Sequence, residues 1–129
     1  MLKTGILNPQ INSLLSRVRH TNTVVIADRG FPFWPTVETI DISLVDDMPG
    51  VLDVLRAVQG NFNIGRFVMA EEFRQMNPQD VIDQWEDRME GTEVIFEPHP
   101  EFKRRVIHAI GIIRTADTTP YSNVIFESA

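Results

Sequence analysis

Ile11, Leu14, Leu15 and Val18 recur at offsets of three, four and seven behind Asn8-Pro9, an N-cap followed by a first-turn proline. That spacing predicts an amphipathic helix to about Arg19. Thr23 to Ala27 (TVVIA) is β-branched and almost wholly apolar, as a strand covered on both faces must be. Asp28 to Thr36 (DRGFPFWPT) holds one glycine, two prolines and three aromatics, too irregular for an element and too apolar for an idle loop. Val37 to Ile42 alternates as a short strand, and Val51, Leu52, Val54, Leu55 and Val58 after Pro49 mark a second helix.

Ile64 to Ala70 reads as a buried strand ending at the polar pair Glu71-Glu72. Asn77-Pro78 repeats the cap signature and opens a helix with Val81, Ile82, Trp85 and Met89 inward. Glu93 to Phe96 is the next strand, Pro100 starts a helix to about Ala109, and Gly111 to Arg114 and Asn123 to Phe126 are the last two strands. The predicted order is αββαβαβαββ. Alternation of this kind predicts a three-layer α/β/α domain spanning residues 1–129, with helices on both faces of a mixed, mostly parallel sheet of about six strands, parallel in its middle. Ligands of such sheets sit beyond the carboxyl ends of strands, which is where Asp28 falls.

Composition adds bounds. The chain has 129 residues, 43% of them hydrophobic and 23% charged, the balance of an ordinary globular protein with one core. No run approaches the ~18 apolar residues of a membrane span, and the N-terminal stretch lacks a secretory signal, so a cytoplasmic protein without membrane contact is expected. The absence of cysteine excludes disulfides, thiolate catalysis and cysteine-based zinc sites. A net charge of -6 repels phosphate backbones, and the basic run Lys103-Arg104-Arg105 spreads over different helix faces, so nucleic acid is not expected as a partner.

The three histidines, His20, His99 and His108, share no metal-ligand spacing, and neither a phosphate-binding glycine loop nor a GxSxG elbow is present. Chemistry free of metal and cofactor is what remains. His20 follows the first helix and Asp28 the first strand, so the connection between them could set an imidazole beside a carboxylate as an acid-base couple. A helix-end histidine and a turn-capping aspartate would leave the same pattern. His99 stands between two prolines where a helix begins, a place where Ser, Thr, Asp or Asn caps better. His108 is given no role. Tyr121 and Asn123 share a face ahead of the last strand, and Trp34, more than Phe31 or Phe33, suggests an apolar platform for a sugar face.

Taken in order, LKTGILNPQINSLLSRVRHTNTVVIADRGFP, AEEF, HPEFK and TPYSNVIF resemble the D-ribose pyranase and L-fucose mutarotase family over nearly the whole chain, the ribose pyranase branch more closely. The resemblance implies an intramolecular isomerase that interconverts pyranose and furanose forms, or anomers, of a free aldose such as ribose without metal or coenzyme. His20 would be its catalytic acid-base residue and Asp28 the carboxylate that orients it and binds sugar. His99, Lys103, Tyr121, Ser122 and Asn123 would be substrate-binding positions. It also implies a ring-shaped homo-oligomer, commonly a decamer, with pockets completed by an adjacent subunit, so that His99 and Lys103 act across an interface. Arg19, Arg29, Phe33 and Trp34 make the rim bulkier than the family pattern, and Ala116-Asp117 stands in place of Gly-Glu. The alternative is a non-catalytic sugar-binding or scaffold protein of the same fold.

Overall fold

A computed structural model describes residues 1–129. Its elements are α1 (Pro9–Arg17), β1 (Thr23–Ala27), β2 (Glu38–Asp41), α2 (Val51–Gln59), β3 (Ile64–Ala70), α3 (Glu72–Met76), α4 (Gln79–Met89), β4 (Glu93–Glu97), α5 (His99–Val106), β5 (Gly111–Arg114) and β6 (Val124–Ser128). The Asn8 side chain caps α1 as predicted, accepting the Ile11 N–H at 2.9 Å. The helix stops two residues earlier than expected because Val18 turns extended and is buried, while the Arg19 guanidinium donates to the Ser16 and Val18 carbonyls.

The six strands form one sheet in the order β2-β5-β1-β6-β3-β4. β2, β5 and β1 run parallel, as do β3 and β4, and β6 lies antiparallel between β1 and β3. The sheet is mixed and mostly parallel as predicted. Its middle is not parallel, since the antiparallel strand sits there. A strand reached from β5 by a turn rather than a crossover helix enters the sheet in reverse.

Successive side chains of each strand go to opposite cores. Val24 and Ile26 of β1, Phe67 and Met69 of β3, and Val124 and Phe126 of β6 meet α1, α2, α3 and α4 on one face. Val25, Ala27, Val68, Ala70 and Ile125 meet Phe102 and Val106 of α5, with Phe31 and Val37, on the other. The layers are unequal: four helices cover one face, while α5 and the irregular Phe31–Val37 stretch cover the other. That stretch is a wall of the second core, which explains its apolar content.

α3 was not read from the sequence. The pair Glu71-Glu72 is the start of a one-and-a-half-turn helix instead of a plain strand end. α5 begins at His99 and ends at Val106, a shift toward the N-terminus of the predicted span, and β6 begins one residue after Asn123.

Candidate active site

The carboxyl ends of β1 and β4 and the amino end of β6 lie on the same edge of the sheet, because β6 is antiparallel to β1 and β3. Asp28 leaves β1, His99 follows β4, Asn123 precedes β6, and Lys103 sits one turn along α5 from His99. With Gly30, Phe31, Pro32 and Tyr121 they line one cavity of about 270 Å³. A larger cavity of about 450 Å³ beside the N-terminal segment, around Gly5, Asn12, Ser16 and Asn61, holds no ionisable side chain and offers no chemistry.

Asp28 is locked by reciprocal bonds with Asn123: its backbone N–H donates to Asn123 Oδ1 at 2.7 Å, and Asn123 Nδ2 donates to Asp28 Oδ2 at 3.1 Å. The other carboxylate oxygen accepts the Gly30 N–H at 2.9 Å, an aspartate turn two residues on. Burial raises the Asp28 pKa above the ordinary 3.8, against the pull of these bonds, and the nearby Asp117 charge raises it further.

His99 opens α5, and its N–H is taken by both oxygens of Glu72, at 3.1 and 2.9 Å. Neither Pro98 nor His99 caps the helix with a side chain; a carboxylate from α3 does so instead, where the helix dipole favours a negative charge. The imidazole lies over Phe102, with centroids 6.0 Å apart and planes 15° apart, and takes Tyr121 at its edge, 5.1 Å away and at 82°. Its Nδ1 is buried with no partner in the chain. Burial and then the Lys103 ammonium lower its pKa below 6.5, so the ring is neutral at neutral pH. Lys103 forms no ion pair, whereas its neighbours Arg104 and Arg105 pair with Glu101 and Glu97. The basic run thus divides between surface pairs and one free ammonium in the cavity. Tyr121 is held with φ of 55°, in the left-handed region, which turns the chain from Pro120 into β6.

Asp28, His99, Lys103, Tyr121 and Asn123 therefore converge. Two expected residues do not join them. Ser122 is fully buried with Oγ unpartnered, and its side chain is not among those lining the cavity. His20 is exposed in the turn before β1, so the five residues of that strand separate it from Asp28, ~17 Å at strand rise. The intrachain couple is corrected: a strand carries its two ends apart, and the turn between α1 and β1 is pinned to the opposite edge by Thr21 N–H to Ser128 O at 3.1 Å. His99 and Lys103, expected across an interface, stand in the same chain as Asp28.

The platform is also different. Phe31, buried between Phe102 and Trp34, lines the cavity with Pro32, while Trp34 lies behind it and Phe33 is exposed. Arg29 turns outward to Asp46 at 2.7 Å. Glu72 and Gly30 were missed as site residues. The Asp-x-Gly turn signal for Gly30 is present in the sequence, but nothing local marks Glu72 as the cap of a helix 27 residues away. No three His, Asp or Glu side chains gather as metal ligands.

The sequence matches the family described as RbsD / FucU transport protein over residues 1–129. A D-ribose pyranase of Geobacillus kaustophilus is 44% identical over 128 residues, covering 99% of this chain and 93% of that one. A D-ribose pyranase of Chromobacterium violaceum is 41% identical over 130 residues, covering 99% and 97%. Bacillus subtilis RbsD, solved with D-ribose, superposes with a TM-score of 0.93 at 32% identity, covering 100% of this chain and 98% of the other. The fucose mutarotase of Streptococcus pneumoniae, solved with L-fucose, shares the fold with a TM-score of 0.82 at 16% identity, over 99% and 98%.

Proposed function

Because this chain belongs to the RbsD / FucU transport protein family, we propose that it is a sugar ring-form isomerase acting on a free aldose, with D-ribose the first substrate to test. The observation that carries the reading is the convergence of Asp28, His99, Lys103, Tyr121 and Asn123 on one polar cavity of about 270 Å³. That volume lies just below the roughly 300 Å³ at which sites for drug-sized ligands begin, in keeping with a ligand as small as a monosaccharide.

Opening a cyclic hemiacetal takes a proton from the anomeric hydroxyl and gives one to the ring oxygen as the bond between that oxygen and C1 breaks. The open-chain aldehyde then recloses on either face, which exchanges anomers, or through a different hydroxyl, which exchanges pyranose for furanose. Asp28 accepts hydrogen bonds from sugar hydroxyls, and the Lys103 ammonium and Asn123 amide supply donors. His99 contributes a neutral imidazole to the cavity lining, with Nδ1 buried and without a partner in the chain. His20 is the proton carrier in this reading, and its place at the far end of β1 means that a second copy must bring it to the cavity.

A homo-oligomeric ring, a decamer in the fullest form of the proposal, supplies that copy. The reading treats residues 1–129 as a single domain, since both cores share one sheet. A cytoplasmic location belongs to the same proposal; no helix is long and apolar enough to cross a membrane. The separation of His20 from the cavity also gives the second reading its content: copies that fail to assemble would bind sugar without exchanging it.

Exchange NMR on a panel of pentoses and hexoses tests the proposal. Wild-type protein is expected to accelerate ring-form exchange of at least one aldose, and His20→Ala to reduce that acceleration by about 10²–10⁴-fold. A folded oligomer that leaves every sugar at its spontaneous rate would overturn the enzyme reading; saturable binding without exchange would replace it with the second.

A further inference from the structure

Asp117 is the only ionisable residue among the buried ones, 5% exposed, and it has no side-chain cation. A buried carboxylate is costly unless hydrogen bonds replace its water. Here two backbone donors do so: Val51 N–H to Oδ2 and Thr119 N–H to Oδ1, each at 2.8 Å. Val51 is the first residue of α2, and Gly50 before it has no side chain to cap with, so a carboxylate 66 residues distant caps the helix. The approach is close, since a Cβ on Gly50 would stand 3.0 Å from Asp117 Oδ2.

Helix capping alone would account for that much. The remaining bonds of Asp117 run to the reaction site. Its carbonyl accepts the Arg29 N–H at 3.1 Å, fixing the residue after Asp28. Its own N–H donates to Thr115 Oγ1 at 3.2 Å, and that hydroxyl donates to the Ala27 carbonyl at 2.8 Å, fixing the residue before Asp28. The Thr119 bond shapes the turn that ends in Tyr121 with its left-handed φ of 55°. Asp28 and Asp117 also line a common cleft of about 180 Å³ that lies beside the sugar cavity, with Asp28 and Gly30 bordering both.

We propose that Asp117 is a positioning residue of this site: from behind the cavity it holds Asp28 and Tyr121 in place through backbone bonds, and it presents the Asp28 carboxylate with a fixed negative neighbour. The proposal rests on the reading of the cavity as the site of ring opening. Other charges face Asp28 as well. His99 and Lys103 approach from α5, and Arg29 turns away to Asp46; the ring proposed above would add a neighbouring copy's His20. Among these, Asp117 is the one whose charge raises the Asp28 pKa, after burial.

Asp117→Asn keeps the size and removes the charge; Asp117→Glu keeps the charge. The first readout needs no turnover: the carboxyl carbon of Asp28, assigned by its loss in Asp28→Asn, is titrated by ¹³C NMR in the intact oligomer. Its midpoint is expected to fall in Asp117→Asn and to return toward wild type in Asp117→Glu. The second is the pH profile of sugar exchange, whose acid limb should move the same way while the plateau kcat/KM drops about tenfold from misplaced groups. Where the Asn variant does not assemble, Asp117→Ser replaces it. An Asp28 midpoint that stays put in the charge-free variant would reduce Asp117 to a helix cap and overturn the proposal. If wild-type protein exchanges no sugar, the functional reading fails by itself, and the carboxyl titration still decides this one.

Discussion

His99 and Asp28 face each other across the cavity with pKa values displaced in opposite directions, and the two displacements have opposite consequences for stability. The folded protein holds the His99 imidazole neutral below 6.5, where the unfolded chain protonates it. The unfolded form therefore gains the proton first, and the contribution of His99 to stability is lost as pH falls through about 6.5. Asp28 has the reverse sign. Its folded pKa lies above 3.8, so the unfolded chain releases the proton first and stability declines as pH rises through the window above 3.8. Thermal unfolding at about pH 7.5 and about pH 5.5 should thus show a larger drop in Tm for wild type than for His99→Gln, whose amide does not titrate. Equal drops would mean that the imidazole is solvated and free to ionise in the folded state. For binding, protonation of Asp28 removes an acceptor, so sugar affinity should fade on acidification at a pH above the usual aspartate range, and calorimetric titration against pH would show it.

α5 carries both His99 and Lys103, and it is the single helix on its face of the sheet, so the geometry of the site depends on how firmly one short element is seated. Phe102 provides most of that seating: it is fully buried, meets Phe31 edge-on with centroids 6.5 Å apart, and lies under the His99 ring. Phe102→Ala should cost about 3–5 kcal/mol in denaturant unfolding. It should also raise KM for sugar at a temperature where the variant is still folded. A destabilised variant with wild-type KM would show that His99 is held by its backbone bonds to Glu72 alone. The elements themselves were largely legible, because periodic apolar positions mark α1, α2 and α4, a β-branched run marks β1 and an apolar one β3; the Asn-Pro signature caps α1 as expected, whereas at α4 Pro78 is itself the N-cap and the Asn77 amide donates instead to the Phe73 and Pro120 carbonyls. α3 was hidden by its length, since five residues give no period to detect. The reversal of β6 was hidden too: strand direction is set by which neighbours pair, and an apolar run reads the same either way.

At the scale of the whole molecule, the expected residues that share the cavity are those that one sheet edge collects; of the two that do not join them, Ser122 is buried and outside the cavity lining, and His20 lies on the opposite edge. Sequence spacing counts residues along the chain; it is silent on a partner that a second copy provides. In the assembly proposed above, the His20 edge of one subunit meets the Asp28 edge of the next, a head-to-tail contact that closes into a ring when the rotation permits. Native mass spectrometry should then find multiples of the 14.8 kDa chain, and a monomer would undo the shared cavity. Mixing two inactive variants gives a sharper test. His20→Ala subunits keep an intact Asp28, and Asp28→Asn subunits keep an intact His20. If each cavity draws the two residues from different copies, unfolding and co-refolding an equal mixture should restore about a quarter of wild-type exchange, the share of random head-to-tail contacts that join an intact His20 to an intact Asp28. If both residues served a cavity within one copy, every cavity in the mixture would lack one of them, and exchange would stay at the level of the separate variants.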